Sequence, residues 1–226
     1  MKTGQDPNFV REAFSKIADR YVLTNHVLSA GTDILWRKKV GYLVAAWKPE
    51  KILDVATGTG DLALEMQRRC PDAEVTGSDF CAEMLAHATT QGVKKTLVAD
   101  ALDLPFDNDE FDLVTVAFGL RNMANWQGGL REMARVMKPG GHVLVLDFSL
   151  PKGALAKPYQ FYLNKVLPKI AGALTGEGDA YQYLAGSIHE FPSGDEMLDM
   201  FRAAGMKNCI AKPLSGGIAS IYVGEL

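Results

Sequence analysis

Cysteine is scarce in this sequence of 226 residues, and long apolar runs are absent from it. The three cysteines, Cys70, Cys81 and Cys209, have no paired spacing, so neither a disulfide framework nor a zinc site is expected, and a reducing cytoplasm is the expected location. The four histidines share no metal-ligand spacing, so we predict no metal site. No stretch approaches the ~20 apolar residues of a membrane span, and MKTGQDPNFVREAF (1–14) lacks the apolar core of a signal peptide. These absences predict a soluble cytoplasmic protein and leave a peripheral contact with a membrane open.

Blocks of basic residues are also missing, and the formal net charge is −3. This balance argues against a nucleic-acid partner, because such proteins carry a basic patch or stripe. The hydrophobic fraction of 47% and the charged fraction of 23% are ordinary for a globular protein, so a full core is expected. The length fits one domain. A homodimer is left open, because no surface pattern argues for or against it.

From Lys51 onward, apolar strands alternate with helices. Continuous β-branched runs favour strands that are buried on both faces, as in a parallel sheet covered by helices. Right-handed crossovers then produce a doubly wound α/β fold. The predicted strands are 51–56, 73–79, 96–100, 111–118 and 142–148, and the predicted helices are 61–69, 82–91 and 126–137, the last ended by the stop signal Lys138-Pro139-Gly140-Gly141.

The two ends of the chain depart from this alternation. Helical spacing of apolar residues predicts an amphipathic helix over 9–21, which we expect to fold over the site as a lid. The segment SGDEMLDMFRAAG (193–205) predicts a helix with Ser193 as its N-cap, and a strand pair joined at Gly216-Gly217 follows. We therefore predict a single domain over 1–226, with an N-terminal helical lid (1–47), a donor-binding core (48–149), a helical insertion rich in aromatic residues (150–192), and a C-terminal helix and hairpin (193–226).

The stretch LDVATGTGD (53–61) lies between the first strand and its helix. Gly58 and Gly60 allow the backbone to approach a ligand, and the helix N-terminus offers free N–H groups. Dinucleotide-binding proteins use a similar loop. However, Asp61 at the start of the helix would repel a pyrophosphate. The pattern therefore disfavours a dinucleotide oxidoreductase and favours a ligand with a cation at this position.

Acidic residues stand at the ends of three successive predicted strands. Asp54 belongs to the first, Asp79 to the second, and Asp100, followed by Ala101, to the third. An acid about 20 residues past the loop accepts hydrogen bonds from ribose hydroxyls, and Asp100 is placed to accept one from an adenine amine. An adenosine with a positively charged tail and no phosphate fits these acceptors, which predicts S-adenosylmethionine as the cofactor. Alternatively, the acids are ordinary helix and loop caps.

Longer segments resemble the ubiquinone/menaquinone biosynthesis C-methyltransferases. The glycine loop alone indicates only a class I methyltransferase, whereas FGLRN joined to RVMKPGG and the DFS ending is much more specific. The similar segments are LDVATGTGD (53–61), ALDLPFDNDEFD (101–112), FGLRNM (118–123) and RVMKPGGHVLVLDFS (135–149), together with RYVLTNHVLSAGTDILWRKK (20–39) and SGGIASIYVGEL (215–226).

The resemblance implies the class I S-adenosylmethionine-dependent methyltransferase fold, with a mostly parallel seven-stranded sheet and a C-terminal antiparallel hairpin. It implies C-methylation of a demethylated polyprenyl quinol, with demethylmenaquinol as the first choice, and the insertion is then expected to line a channel for the isoprenoid tail. Matching positions assign donor binding to Thr59, Asp79, Asp100 and Ala101, and some relatives have a donor-contacting serine in place of Ala117. The predicted donor-binding residues are therefore Asp54, Gly58, Thr59, Gly60, Asp79, Asp100, Ala101 and Ala117.

The apolar strand VTVAF (114–118) runs into Arg121 and Asn122 at the end of the sheet where ligands usually bind. We predict that Arg121 holds the developing quinolate or orients a water that takes the proton, and that Asn122 binds the other oxygen or the donor. Tyr21, at the end of the predicted lid helix, is predicted to touch the quinol. Arg121 is permanently charged, which leaves Asp100 or a water as proton acceptor. Alternatively, Arg121 forms a structural ion pair with a neighbouring acid.

Other functions stay open at this point. A class I methyltransferase can act on another small acceptor, such as a sterol or a phenol, and FGLRN favours the quinol enzyme over this alternative. A donor-binding subunit without turnover is a third hypothesis, which an activity assay would separate. The sequence does not distinguish demethylmenaquinol from 2-polyprenyl-6-methoxybenzoquinol of ubiquinone biosynthesis, because both present the same quinol edge.

Overall fold

The computed structural model describes residues 31–166 and 186–226. They contain a seven-stranded sheet with the order β3-β2-β1-β4-β5-β7-β6. Strands β1 to β5 pair in parallel, and β7 pairs antiparallel with both β5 and β6. This is the sheet that the sequence predicts, with its C-terminal hairpin. The strands are β1 (Lys51–Val55), β2 (Glu74–Asp79), β3 (Lys95–Val98), β4 (Phe111–Ala117), β5 (Met137–Phe148), β6 (Lys207–Leu214) and β7 (Ala219–Glu225).

Helices cover both faces of the sheet. They are α1 (Asp33–Trp47), α2 (Asp61–Arg69), α3 (Ala82–Gln91), α4 (Trp126–Val136), α5 (Ala156–Phe161) and α6 (Asp195–Ala203), with short helical turns at Leu120–Asn122, Gly153–Leu155 and Tyr162–Val166 and a helical segment at 186–190. No helix within the described ranges is long and apolar enough to cross a membrane.

Successive side chains along the central strands point to opposite faces of the sheet, and each face has its own apolar core. In β4, Leu113 packs on one side, whereas Val114 and Val116 pack on the other, and Leu144 and Val145 of β5 divide in the same way. Residues of α1 and α2 cover the first side, and residues of α4 and α6 cover the second. Because both faces are buried, the strands are apolar on both sides. An acid within such a strand therefore needs specific hydrogen-bond partners.

Three local predictions are wrong. Helix α6 begins at Asp195, and its first turn follows Gly194 without any side-chain cap, so Ser193 is not the N-cap. Strand β3 ends at Val98 and not at Asp100. Strand β5 begins at Met137, directly after α4, because a shift in its pairing with β4 accommodates the Pro-Gly-Gly stop signal within the strand.

Parts of the predicted lid and insertion lie outside the described residues. These parts are the helix expected at 9–21 and residues 167–185. The described part of the insertion is helical in α5 and in the turn that follows it. The division of the chain into lid, core, insertion and C-terminal unit stays a prediction.

Candidate active site

The loop between β1 and α2 holds its glycines in backbone conformations that favour glycine. Gly58 has a φ of +58°, and Gly60 has a φ of +86°. A Cβ atom on Gly60 would lie 2.4 Å from Cγ2 of Val93, which is too close for any side chain. The two glycines therefore allow the loop to turn tightly at the carboxyl edge of the sheet and to present its backbone to a ligand.

Asp79, the last residue of β2, is buried and holds this loop in place. Its carboxylate accepts hydrogen bonds from the backbone N–H groups of Gly58 and Cys81, each at 2.9 Å. Burial raises the pKa of the Asp79 carboxyl, and these backbone hydrogen bonds oppose the rise. A carboxylate has about four acceptor positions. Asp79 therefore retains capacity for the ribose hydroxyls that the sequence predicts for it.

Asp54 is a second buried carboxylate at this edge. The register of β1 and β4 places it opposite Thr115, whose hydroxyl donates to Oδ1 at 2.6 Å, and the hydroxyl of Thr57 donates to Oδ2 at 2.7 Å. Burial raises the pKa of Asp54 to about 6, although both hydrogen bonds and the charge of Arg37 oppose the rise. A ligand ammonium beside Asp54 would favour its ionised form.

Arg37 of α1 reaches the same place. Its guanidinium forms an ion pair with Asp33 one turn earlier, and its Cζ lies 5.2 Å from the centre of the Phe118 ring. We call this place the donor depression. It is lined by Arg37, Asp54, Ala56, Thr57, Gly58, Thr59, Asp61, Leu62 and Ala117. It contains both a guanidinium and carboxylates, which are the groups that pair with the two charged ends of an amino acid.

Thr59 and Asp61 complete the loop at the start of α2. The Thr59 hydroxyl donates to Asp61 at 2.8 Å. A carboxylate in the first turn also interacts favourably with the positive end of the helix dipole. Together these interactions keep negative charge beside the glycine loop, as the sequence predicts.

Asp100 and Ala101 follow β3 and are less enclosed. Asp100 is exposed, and its carboxylate accepts a hydrogen bond from the backbone N–H of Leu102 at 2.9 Å. The N–H of Ala99 donates to the carbonyl of Asp79 at 3.0 Å, which ties this segment to the end of β2. The structure therefore brings the segment to the carboxyl edge of the sheet, beside Asp79. Its contact with adenine stays a prediction.

At the carboxyl end of β4 the chain turns sharply. Phe118 has a φ of +59°, and the turn Leu120–Asn122 follows it. Arg121 is fully buried, and its Nη1 donates to Asp147 and to the carbonyl of Phe118, each at 2.7 Å. Asp147 is also fully buried, and burial raises the pKa of its carboxyl while the charge of Arg121 opposes the rise. This ion pair is the one expected under the alternative prediction, in which Arg121 has a structural role. Contact of Arg121 with the quinol stays a prediction.

Aromatic rings surround the Arg121 guanidinium. Its Cζ lies 5.9 Å from the centre of the Phe118 ring and 5.3 Å from that of Phe148. The two rings lie 4.8 Å apart, and Trp36 packs against both at 6.2 and 6.0 Å. We call Trp36, Phe118 and Phe148 the aromatic wall. It keeps water away from a permanent positive charge, which strengthens the field of that charge.

The structure shows fewer contacts for the other residues that are predicted to line the site. Asn122 is half-buried, and its Nδ2 donates to the carbonyl of Phe118 at 3.3 Å. Its Oδ1 is buried and has no hydrogen-bond partner within 31–166 and 186–226. Ala117 lines the donor depression directly before Phe118. Tyr21 lies outside the described residues.

Sequence reasoning missed Asp147 and Arg37. Asp147 interrupts the apolar strand HVLVLDF (142–148), which was a usable signal because a buried strand rarely holds an unpaired acid. Arg37 stands next to Lys38 and Lys39 on α1, so its charge is not distinctive in the sequence. Only the folded chain separates it from these neighbours, since Arg37 is buried and both lysines are exposed.

The sheet order and this arrangement at its carboxyl edge define the class I methyltransferase fold. The structure is similar to that of an S-adenosylmethionine-dependent methyltransferase from Thermotoga maritima, with a TM-score of 0.67 and 18% identity over 96% of this chain and 99% of that chain. It is also similar to phosphoethanolamine N-methyltransferase 2 of Haemonchus contortus, solved with S-adenosyl-L-methionine. That match has a TM-score of 0.58 and 14% identity over 78% of this chain and 48% of that chain. At these identities the likeness shows the fold alone.

The chain belongs to the ubiE/COQ5 methyltransferase family, whose model matches residues 1–225. It is 44% identical over 218 residues to the demethylmenaquinone methyltransferase of Thermus thermophilus, covering 94% of this chain and 99% of the relative. It is also 44% identical over 225 residues to the ubiquinone/menaquinone biosynthesis C-methyltransferase UbiE of Geotalea daltonii, covering 96% of this chain and 95% of the relative. The predictions of the family and of an S-adenosylmethionine-dependent methyltransferase are thereby confirmed.

Proposed function

We propose that this methyltransferase transfers a methyl group from S-adenosylmethionine to a ring carbon of demethylmenaquinol, where it replaces a hydrogen, giving menaquinol, S-adenosylhomocysteine and a proton. The observation that carries the proposal is the match of nearly the whole chain to relatives named for this chemistry. The buried charge of Arg121 beside the aromatic wall supports it, because a phenolic anion is the reactive form of a quinol.

The donor edge fits the separate parts of S-adenosylmethionine. Asp79 has acceptor capacity for the ribose, and in the donor depression Asp54 offers a carboxylate to the ammonium while Arg37 offers a guanidinium to the carboxylate. When bound, the donor supplies an activated methyl group on its sulfonium. The chain contributes alignment with the ring carbon, and positioning of this kind supplies up to about 7–11 kcal/mol of barrier reduction.

The acceptor edge must make a ring carbon nucleophilic. A quinol hydroxyl resembles a phenol with a pKa near ~10, and its ionisation moves negative charge onto the ring. Arg121 stabilises that charge from beneath the aromatic wall, where water is excluded. In this proposal Asn122 binds a ring oxygen, and Tyr21 contacts the quinol.

A second candidate substrate is 2-polyprenyl-6-methoxybenzoquinol of ubiquinone biosynthesis. The relative from Geotalea daltonii is named for both pathways, which favours this candidate. Both quinols present a hydroxyl beside the carbon to be methylated, so the same acceptor edge serves either. An assay must therefore compare quinols whose ring systems differ beyond this hydroxyl.

The proposal includes a peripheral contact with an anionic membrane, where polyprenyl quinols dissolve. Segment 150–166 contains Lys152, Lys157 and Lys165 and no acidic residue. Leu155 is 51% exposed and Phe161 is 63% exposed in the same segment. Exposed apolar side chains flanked by lysines are typical of surfaces that bind anionic lipid.

The test is a methyl-transfer assay with purified protein and labelled S-adenosylmethionine. Demethylmenaquinol and 2-polyprenyl-6-methoxybenzoquinol are supplied separately, in phosphatidylcholine vesicles with and without phosphatidylglycerol. We expect label in menaquinol, at a higher rate when phosphatidylglycerol is present. Label in the benzoquinol alone would replace the first candidate with the second. Tight donor binding without label in either quinol would contradict the function, and equal rates in both vesicles would contradict the membrane contact.

A further inference from the structure

Tyr159 of α5 carries a buried hydroxyl that the fold does not use. The residue is 7% exposed, and its Oη has no hydrogen-bond partner in the part of the chain that the structure describes. It belongs to the same apolar cluster as Phe118, Phe148 and Leu163. A phenylalanine would fill the same space without leaving a polar atom unsatisfied, and unsatisfied buried hydroxyls lower stability. The hydroxyl is therefore available to a hydrogen-bond partner that the described chain does not supply, such as a ligand.

The hydroxyl lies within the field of the Arg121 guanidinium. Arg121 contacts the rings of Phe118 and Phe148, and Tyr159 packs in the cluster that contains both rings. Burial raises the pKa of the Tyr159 phenol, and the charge of Arg121 opposes that rise. The phenol is therefore neutral at physiological pH. In that state it can donate a hydrogen bond and cannot serve as a base.

Asn122, which lies in the same turn after β4 as Arg121, provides a second unsatisfied atom. Its Oδ1 is buried and accepts no hydrogen bond from the described residues, while its Nδ2 is bound to the Phe118 carbonyl. The two residues thus offer one hydroxyl donor, from Tyr159, and one amide acceptor, from Asn122. A quinol that ionises at one oxygen needs a donor at that oxygen and an acceptor at the opposite hydroxyl. The two unsatisfied atoms have this complementary chemistry.

Resting on the proposed function, we propose that Tyr159 is a catalytic residue whose hydroxyl donates a hydrogen bond to the ionising oxygen of the quinol. Asn122 Oδ1 accepts from the hydroxyl on the opposite side of the ring. Tyr159 forms no covalent bond and keeps its proton throughout. Its hydrogen bond and the charge of Arg121 favour the quinolate, so the pKa of the bound quinol falls and the ring carbon becomes more nucleophilic.

The test compares Tyr159→Phe with Tyr222→Phe. Tyr222 is a matched control because it is also buried, but its hydroxyl accepts a hydrogen bond from the Gly194 N–H at 3.0 Å. For Tyr159→Phe we expect an unchanged or higher Tm, an unchanged Kd for S-adenosylmethionine, and a decrease in kcat/KM for the quinol of tenfold or more. The acid limb of its pH–rate profile should move to higher pH, because the bound quinol ionises less readily. For Tyr222→Phe we expect a lower Tm and an unmoved acid limb.

Several outcomes would overturn the inference, and they are distinguishable. Wild-type turnover together with unchanged kcat/KM and acid limb in Tyr159→Phe would contradict the role of Tyr159 and leave the proposed function intact. A lower Tm with an unmoved acid limb would assign Tyr159 to packing. Wild-type protein that binds S-adenosylmethionine and methylates neither quinol would contradict the proposed function, and the role of Tyr159 with it.

Discussion

The carboxyl edge of the sheet has a donor half, which contains Asp54 and Asp79, and an acceptor half, which contains Arg121 and Asp147. The two halves hold their charges in different ways. In the donor half, Asp79 and Asp54 are buried, and their partners are backbone N–H groups and hydroxyls, so both carboxylates keep acceptor capacity. In the acceptor half, Arg121 and Asp147 are fully buried and form an ion pair with each other. The comparison teaches that the donor half is prepared for a charged ligand, whereas the charge of the acceptor half is already part of the fold. Substitutions of Asp54 and Asp79 should therefore affect ligand affinity, whereas substitutions of Arg121 and Asp147 should affect folding.

The largest expected effect is on folding, from Arg121→Ala. This substitution leaves Asp147 buried without its cation, and removal of one partner of a buried ion pair costs about 3–5 kcal/mol. We expect the free energy of unfolding, measured by denaturant titration, to fall by about that amount. The Kd of S-adenosylmethionine for the remaining folded protein should change little, because Arg121 does not line the donor depression.

The double variant Arg121→Met/Asp147→Asn separates folding from catalysis at this pair. It removes both charges, and the asparagine Oδ1 can still accept from the backbone N–H of Phe148, which donates to Asp147 Oδ1 at 2.8 Å. We expect recovery of most of the lost stability without recovery of turnover. Recovery of turnover would show that the charge of Arg121 has no part in the reaction and that only the structural interpretation holds.

A smaller effect on folding is expected from Gly60→Ala in the donor half. The new Cβ would meet Val93 at 2.4 Å, and we expect a loss of about 1–3 kcal/mol in unfolding free energy from this overpacking. Gly205→Ala is the matched control, because Gly205 also has a positive φ, +96°, but among the described residues no atom beyond its chain neighbours lies within 4 Å of its Cβ position. Only Gly60→Ala should also weaken donor binding in calorimetry. Equal losses of stability and affinity in the two variants would contradict the close approach at Gly60.

Arg37→Gln should reduce donor affinity by about tenfold, which corresponds to ~1.4 kcal/mol. In the proposed site this substitution removes a charged hydrogen bond to the donor carboxylate. Because it also removes the cation that pairs with buried Asp33, the Kd is measured under conditions in which circular dichroism shows the variant to be folded. The comparison ligand is decarboxylated S-adenosylmethionine, whose Kd should be the same for wild type and variant. An equal loss for both ligands would mean that Arg37 acts on the shape of the site and not on the carboxylate.

The smallest effect is the pH dependence of donor binding. Burial raises the pKa of Asp54 to about 6 in the free enzyme, and a bound ammonium would favour its ionised form. Affinity should therefore fall as the pH falls through this value, and a change from pH 7 to 5.5 should raise the Kd about fourfold. Isothermal calorimetry across this range measures the change, and Asp54→Asn should bind weakly with little pH dependence. A wild-type Kd that does not change over this pH range would show that Asp54 does not bind the ammonium of the donor.

Much of the fold follows from local pattern. The strand segments, the glycine loop and the C-terminal hairpin occur where periodicity and turn residues predict them, because both faces of each central strand are buried. The incorrect predictions concern the boundaries of strands and helices, where the pairing of strands and the packing of the chain override the local sequence signals. Strand β5 absorbs a Pro-Gly-Gly sequence that normally ends an element, because a register shift beside β4 accommodates it. Helix α6 begins without the cap that its sequence favours.

Short motifs and the direction of parallel strands are enough to predict the family, the α/β class and the edge of the sheet where the donor-binding residues gather. Which residues become partners depends on the folded chain. Arg121 and Asp147 are separated by 26 positions and meet through the register of β4 and β5. Burial then decided their chemistry: it raises the pKa of Asp54 and leaves the Tyr159 hydroxyl without a partner among the described residues, and no local pattern in the sequence encodes burial.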